Sequence, residues 1–478
     1  MDFNFVASLL FFIIHNPPFI KSSFKSIILV FFVDAYQTLP HWISYPMSIK
    51  FEPILSLIMI EAKLDPKIYI IGAGISGLVA AIELEKNGFS PFILEGSQSI
   101  GGRVKTDLVD GFRLDQGFQV LLTAYPEAKK YLDYQALNLK NFEPGAVIFD
   151  ENESFIITDP LRNPLQIVGM AFSKVGSFLD KVKMFSLTQS LKKKTVAEIF
   201  NSESKPTLQY LKEYGFSDQI IAYFFKPFFR GIFLEPHLNT SSRMFEFVFK
   251  MFSIGNAAVP AKGMGEIPQM LRSQLSKTQI YFNTPVKQIK SQEIHLENGE
   301  ILTADRIIIA TQPDRVLPQM QGQFAKPKHV TNLYFTTQKS FMARPMIGLI
   351  PGDGHLVNNI VFMDDVSEEY SAENRSLLSV TVLDHSFSEK ELIKAVQAEL
   401  ERISRIKGEY FKHLKTYEIP YALPTLDDMK YEIAFTETKI TENVFLAGDY
   451  LLNGSINAAM TSGRLAAEAV SHSFTATH

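Results

Sequence analysis

The sequence predicts an α/β fold: a doubly wound, Rossmann-like dinucleotide-binding domain assembled from separated pieces of chain, with an α+β domain inserted into it. Three observations predict this. The apolar run Ile68–Ile71 leads into glycines spaced G-x-G-x-x-G, then a helix-favouring stretch, then a second apolar run closed by an acid. Near the other end of the chain a second Gly-Asp element, LAGDY (446–450), is followed at once by another helix-favouring stretch. Between them, helical, aromatic-rich sequence gives way to segments that alternate as strands.

Composition bounds the reading. A chain of 478 residues, 46% hydrophobic, is long enough for two domains and a large core. A formal net charge of −4 gives no reason to expect nucleic acid as a partner. Cysteine is absent, which excludes disulfides, thiolate metal sites, a cysteine nucleophile and a cysteinyl cofactor link. The ten histidines show no ligand spacing, so no metal site is expected. No G-x-S-x-G occurs, so a serine hydrolase has no support.

Residues 1–58 differ from the remainder. They hold nine Phe, five Pro, three Lys and three acids without sustained periodicity. VASLLFFII (6–14) and SIILVFFV (26–33) are each too short to span a bilayer, and Met1–Phe5 has no basic residue to open a signal peptide. The expectation is a non-homologous extension, either an upstream start preceding the true one at Met59 or an anchoring segment.

The ordered elements begin at Ile68–Ile71, a strand buried on both faces. Gly72 permits a tight turn, Gly74 lets backbone approach a pyrophosphate, and Gly77 lets helix pack on strand. A helix is expected over Ser76–Asn87, with Gly88 at its C-terminal cap. Phe92–Leu94 make a second strand ending at Glu95, close to the ~20-residue spacing at which a carboxylate meets ribose hydroxyls. SQSIGGRVKT (97–106) supplies another glycine loop and an arginine, and a turn follows around Asp115 and Gly117. Residues 126–255 read as mostly helical, with FSKVGSFLDKVKMFSLTQSLKKK amphipathic and YFFKPFFRGIF (223–233) heavily aromatic. QIYFNTPVKQIK, EIHLENG and EILTADRIIIAT read as a strand, a hairpin and a buried strand. HVTNLYFTT and LLSVTVLD are strands, 388–406 an amphipathic helix, and 443–470 a buried strand, an Asp-bearing loop and a long helix. The nucleotide domain is therefore expected from 66–125, 256–320 and 425–472, and the substrate domain from 126–255 and 321–424.

An NAD dehydrogenase needs one dinucleotide fold followed by a catalytic domain. The returning Gly448-Asp449 element fits an extended flavin dinucleotide better, with Asp449 at the ribityl or pyrophosphate region. The helix beginning near Ser455 would turn its positive end toward the flavin ring and stabilise charge developing there.

GAGISGL with Glu95, then GGR at 101–103, TPV at 284–286 and LAGD near the C-terminus resemble the flavin-containing amine oxidase superfamily over about 66–470. FFKPFFRGIFLEP (224–236) and GMGEIP (263–268) are most similar to its protoporphyrinogen oxidase and phytoene desaturase branches. The resemblance implies non-covalent FAD. It implies that Gly72, Ala73, Gly74, Ser76 and Gly77 cradle the pyrophosphate, and that Glu95 binds the adenosine ribose. It places Gly101, Gly102 and Arg103 along the pyrophosphate, Gly117, Phe118 and Gln119 near the ring, and Val286 at the adenine. Gly448, Asp449, Ile456, Asn457 and Ala458 would complete the site.

Phe225 and Phe229 are candidates for an apolar substrate wall and Tyr421 for the flavin face; core packing and a turn are the competing readings. No side chain stands out as catalytic. The implied function is an FAD-dependent oxidoreductase taking hydride from a C–H bond of a mostly apolar small molecule, with oxygen or a quinone as electron acceptor. The implied location is cytoplasmic, with peripheral membrane contact. Three rivals are an amine oxidase proper, an FAD-dependent isomerase without net redox, and a non-catalytic, membrane-tethered flavoprotein.

Overall fold

The computed structural model describes residues 66–150, 153–158, 176–372 and 375–475. The segment 1–58, with its expected extension or anchor, lies outside these residues.

A five-stranded parallel sheet runs in the order Gln279–Tyr281, Phe92–Leu94, Ile68–Ile71, Arg306–Ile309, Val444–Leu446. Its central strands read as unbroken Ile runs because both faces are covered; Ile68, Ile70, Ile307, Ile308 and Ile309 are all fully buried. On one face lie the helices Ile75–Lys86 and Ile456–Thr475. Glycine sets their spacing. A Cβ on Gly77 would stand 2.1 Å from the Gly72 carbonyl oxygen, and one on Gly463 would stand 2.3 Å from the Ser76 carbonyl oxygen. The other face is covered by an antiparallel three-stranded sheet, Val286–Lys290, Glu293–Leu296 and Ile301–Thr303, through Ile289, Ile294 and Leu296.

A second sheet has seven strands in the order Lys412–Leu423, Lys328–Thr337, Ser376–Val382, Val357–Phe362, Ile347–Leu349, Gly145–Phe149, Ser154–Thr158. All neighbours are antiparallel except Ile347–Leu349 with Gly145–Phe149. Leu392, Val396 and Leu400 of the helix Glu389–Ser404 close one face. Above the other stand Phe178–Lys193, Lys226–Phe233 and Ser242–Ile254. Lys226–Phe233 continues directly from a π-helical turn at Ile221–Phe225.

The segment read as amphipathic divides its apolar side chains between two faces. Its helix starts at a capping box, in which Ser177 Oγ accepts from the Asp180 N–H and the Asp180 carboxylate accepts from the Ser177 N–H. Leu187 and Leu191 are buried, whereas Phe178 and Val182 are exposed.

The hairpin Thr106–Val109/Phe112–Asp115 is tied to the large sheet through one buried acid. The Asp115 carboxylate accepts from Thr106 Oγ1 at 2.5 Å, Tyr370 Oη at 2.7 Å and the Met264 N–H at 2.9 Å. Tyr334 Oη donates to its carbonyl at 3.0 Å. Burial pushes this carboxyl up from 3.8 to about 6, although its three donors pull the other way. Its stabilising contribution is therefore fully present below 3.8 and is lost as pH rises through about 6. Asp115→Asn should remove that loss. Relative to the parent, the variant should gain about 2 kcal/mol between pH 4 and pH 7, measured by urea unfolding. A stability difference that does not change with pH would contradict it.

Candidate active site

A cavity of about 700 Å³ lies between the two sheets. Four strands of the parallel sheet end at it, through Gly72, Glu95, Ala310–Gln312 and Ala447–Asp449. This is the crevice beyond the carboxyl ends of the strands where open α/β sheets bind ligands.

Gly74, Ile75 and Ser76 open the first helix onto the cavity, and no side chain caps it. Its first-turn N–H groups are thus available to a phosphate. Gly101 and Gly102 lie opposite: Gly101 bridges Gly74, and its N–H donates to the Ala73 carbonyl at 2.9 Å. Glu95 is oriented by its own surroundings. Its carboxylate accepts from the Ala73 N–H at 2.7 Å, the Ser97 N–H at 2.9 Å and Ser97 Oγ at 2.7 Å.

Arg103 and Asp449, assigned separately to the cofactor from the sequence, meet each other. Arg103 Nη2 donates to Asp449 Oδ1 at 2.5 Å, and Nη1 donates to the Ala422 carbonyl at 3.0 Å. The guanidinium lies over the Tyr421 ring, 5.6 Å from its centroid. Burial opposes the Arg103 charge, but the Asp449 carboxylate outweighs it and holds the guanidinium above its ordinary value.

Gly117, Phe118 and Gln119 line the cavity beside them, with Gln119 Nε2 donating to the Arg103 carbonyl at 2.9 Å. Gly448, Ile456 and Tyr421 also line it. Other expected residues stand behind the lining. Ala73 points its N–H at Glu95, and Gly77 is spent on helix-to-strand packing. Val286 opens the antiparallel sheet and packs against the buried cluster that holds Ile71 and Leu94. Asn457 is fully buried, with Oδ1 accepting from the Glu127 N–H at 3.0 Å and Nδ2 unpartnered. Ala458 is fully buried, and its neighbour Ala459 faces the cavity instead.

The aromatic run corrects the expected substrate wall. Phe225 and Phe229 are fully buried, and each packs against Phe245. Phe224, Phe228 and Ile232, one position earlier, face the cavity. The helix presents two rows four residues apart, and a run of identical side chains does not say which row faces inward. The π-helical turn also shifts the phase at its start. Met244, Val248, Phe249 and Phe252 of the next helix complete this wall.

The opposite side is the face of the large sheet, from Ile419 and Tyr421 through Lys328, Val330, Thr381 and Asn359 to Ile347, Gly145 and Ile157. Lys328 was not singled out from the sequence, because a lysine at a strand's start reads as solvent-facing. Its Nζ donates to the Phe233 carbonyl at 2.8 Å, and burial pushes the ammonium below its ordinary value.

A parallel sheet with an uncapped glycine loop, an acid at the second strand end and an adjoining cavity under a second sheet together make a dinucleotide-binding site of the kind a flavoprotein carries. The chain belongs to the flavin containing amine oxidoreductase family, whose model matches residues 75–471. It is 25% identical over 174 residues to protoporphyrinogen oxidase 2, chloroplastic/mitochondrial, of Arabidopsis thaliana, covering 36% of this chain and 33% of that protein. It is 23% identical over 340 residues to 4,4'-diapophytoene desaturase of Staphylococcus aureus (strain Newman), covering 63% of this chain and 66% of that one. Each alignment spans less than two thirds of the relative. An oxidoreductase from Methanosarcina mazei shares the fold with a TM-score of 0.65 at 16% identity, over 83% of this chain and 98% of that one.

The uncapped helix and facing glycine loops fit a flavin dinucleotide, and Glu95 and Asp449 present carboxylates to the same cavity. Glu95→Ala and Asp449→Ala should each weaken FAD binding by roughly 1.5–3 kcal/mol, the usual worth of a hydrogen bond to a charged group. Flavin fluorescence on dilution would read the affinity; unchanged values in both variants would refute the placement.

Proposed function

We propose that this protein oxidises a C–H bond of a mostly apolar small molecule, using FAD held without a covalent bond and oxygen or a quinone as the final acceptor. The observation that carries this reading is the wall of Phe224, Phe228, Phe249 and Phe252 across the cavity from the large sheet. An apolar substrate gains from such burial, and a charged amine would lose its hydration there. Glu143, a carboxylate of the cavity lining, is engaged by Arg344 at 3.1 Å, which supports the apolar reading over an amine. The relatives' names, a protoporphyrinogen oxidase and a diapophytoene desaturase, point the same way.

FAD, when bound, supplies a two-electron acceptor for hydride from that C–H bond. This chain's residues bind and orient. The Gly72–Ser76 loop and the first-turn N–H groups take the pyrophosphate with Gly101 and Gly102, and Glu95 takes the ribose. The Arg103–Asp449 pair lies beside the dinucleotide and is fixed by Gln119 and Ala422. Ser455 and Ile456 line the cavity, so the positive end of the C-terminal helix opens into it. The aromatic wall excludes water from the reacting carbon. Cysteine is absent from the chain and, among the described residues, no histidine lines the cavity, which supports non-covalent attachment. We assign the cofactor domain to 66–125, 256–320 and 425–472, and the substrate domain to 126–255 and 321–424. Among the described residues no helix is long and apolar enough to cross a membrane; the reading is a cytoplasmic enzyme with peripheral membrane contact.

The purified full chain should be yellow, with flavin released by acid. Anaerobic titration with a porphyrinogen or a partly saturated polyene should bleach it, and amines should not. Phe228→Ala should weaken binding of the bleaching compound by about tenfold or more, the scale of losing a buried aromatic contact. Bleaching by amines alone, or a colourless protein that does not take up FAD, would overturn the reading.

A further inference from the structure

One cation of the cavity lining lacks a carboxylate. Arg103 is paired with Asp449, and Lys181 lies in the field of Asp180. Lys328, at the start of the strand Lys328–Thr337, makes no ion pair among the described residues. Its ammonium carries three N–H groups, and one of them holds the Phe233 carbonyl at 2.8 Å. The acid whose field reaches it, Glu235, is spent on its own loop, accepting from the His237 N–H at 2.9 Å and the Thr240 N–H at 3.1 Å.

The carboxylates that line the cavity are engaged elsewhere. Glu95 accepts from Ala73 and Ser97, Glu143 from Arg344, and Asp449 from Arg103. Further along the large sheet, Asn359 Nδ2 donates to Thr381 Oγ1 at 3.1 Å, and Thr381 Oγ1 donates to Asn332 Oδ1 at 3.3 Å. Those side chains are polar but uncharged. The lining residues next to Lys328 on its own strand and on the paired one, Val330 and Leu423, are apolar.

An ammonium set in such a lining is costly, and burial already pushes it below its ordinary value. When an apolar molecule fills the cavity and displaces water, that cost rises unless the molecule brings a negative charge of its own. A carboxylate answers both needs: it carries a single charge, and its two oxygens accept from the two N–H groups that Phe233 leaves free. A dianionic phosphate would leave one charge without a counterpart.

We propose that Lys328 seats the carboxylate of an amphiphile with one acidic end and an apolar body, the body lying along Phe224 and Phe228. That this amphiphile is the molecule oxidised rests on the function proposed above; the anion seat does not.

Decanoate and decanol differ only in the head group and serve as probes, titrated calorimetrically at neutral pH into the FAD-loaded full chain. Decanoate should bind about tenfold or more tightly than decanol, the scale of a hydrogen bond to a charged group. Lys328→Met should remove this preference by weakening decanoate alone, and Lys328→Arg, which keeps the charge, should retain most of it. Phe228→Ala should weaken both probes, since both lay their chain on that row. Flavin content equal to the parent's shows that each variant is folded.

Equal affinity of the parent for the two probes, or no binding of either, would overturn the proposal without any variant. A preference that survives Lys328→Met would overturn it too, leaving Lys328 only as the holder of the Phe233 carbonyl. Equal weakening of decanoate and decanol by Lys328→Met would mean that the lysine shapes the cavity without seating an anion. Decanoate binding untouched by Phe228→Ala would place the probe elsewhere, with the same consequence. Bleaching of flavin by the compounds named above tests the chemistry separately, so failure of either reading is visible without the other.

Discussion

Two places where backbone meets backbone with no side chain between them set the frame of this molecule. At Gly77 the first helix touches the loop it springs from, and at Gly463 the last helix touches the first. A Cβ at either position would meet a carbonyl oxygen well inside contact distance, and neither oxygen can move without its helix or strand. The first contact fixes where the uncapped N–H groups point. The second brings the helix Ile456–Thr475 back onto the helix Ile75–Lys86. It seats Val444–Leu446 beside Arg306–Ile309 and delivers Asp449 to the cavity. The cofactor half of the site is assembled across nearly the full length of the chain, and these contacts are what align it.

Arg103, Asp449 and Tyr421 join three such distant segments: the second glycine loop, the end of the last parallel strand and the edge strand of the large sheet. A guanidinium in a cavity of this kind is tolerable because a carboxylate, a carbonyl and an aromatic face all meet it. Removing any one would leave charge beside the cavity with fewer partners. The cluster therefore positions the two sheets relative to each other as well as the polar edge of the site.

Most of the fold was legible because its signals are local. The Ile runs, the glycine spacing and Glu95 each state their structure within a few residues, and they do so consistently. The site was legible where backbone makes it: Gly74, Gly101, Gly117 and Gly448 all face the cavity. It was less legible where side chains compete for partners. Arg103 and Asp449 have each other, and Asn457 turns its oxygen to Glu127; those partners come from sequence hundreds of positions away. Phe225 and Phe229 were misplaced by one residue because the run is aromatic on both of its faces. Lys328 carried no signal, since only the tertiary fold brings a helix end over it. The apolar stripe at Phe178, Val182 and Phe185 has normal helical spacing, and nothing in that spacing says that it faces outward.

The aromatic helix also shows how the cavity keeps its width. Its buried side chains Phe225 and Phe229 are gripped from behind by Phe245, so the helix cannot drift away from the large sheet. It cannot settle fully onto the sheet either, because Phe224 and Phe228 stand on the cavity side as spacers. Polar contacts tie it to the sheet: Asn358 Nδ2 donates to the Pro227 carbonyl at 3.3 Å in its first turn. Gly231 lies so close to the sheet that a Cβ would be 2.8 Å from Asn358 Nδ2, and Lys328 reaches up to hold the Phe233 carbonyl. That lysine satisfies a terminal carbonyl and meets the negative end of the helix dipole. The helix is thus tied to the sheet by these polar contacts and propped on aromatic side chains between them. The space between them is lined by Asn359 and Lys328 on the sheet and by the phenylalanines on the helix. Its depth depends on side-chain volume in a single row, which makes that row the part of the protein most able to select substrate size.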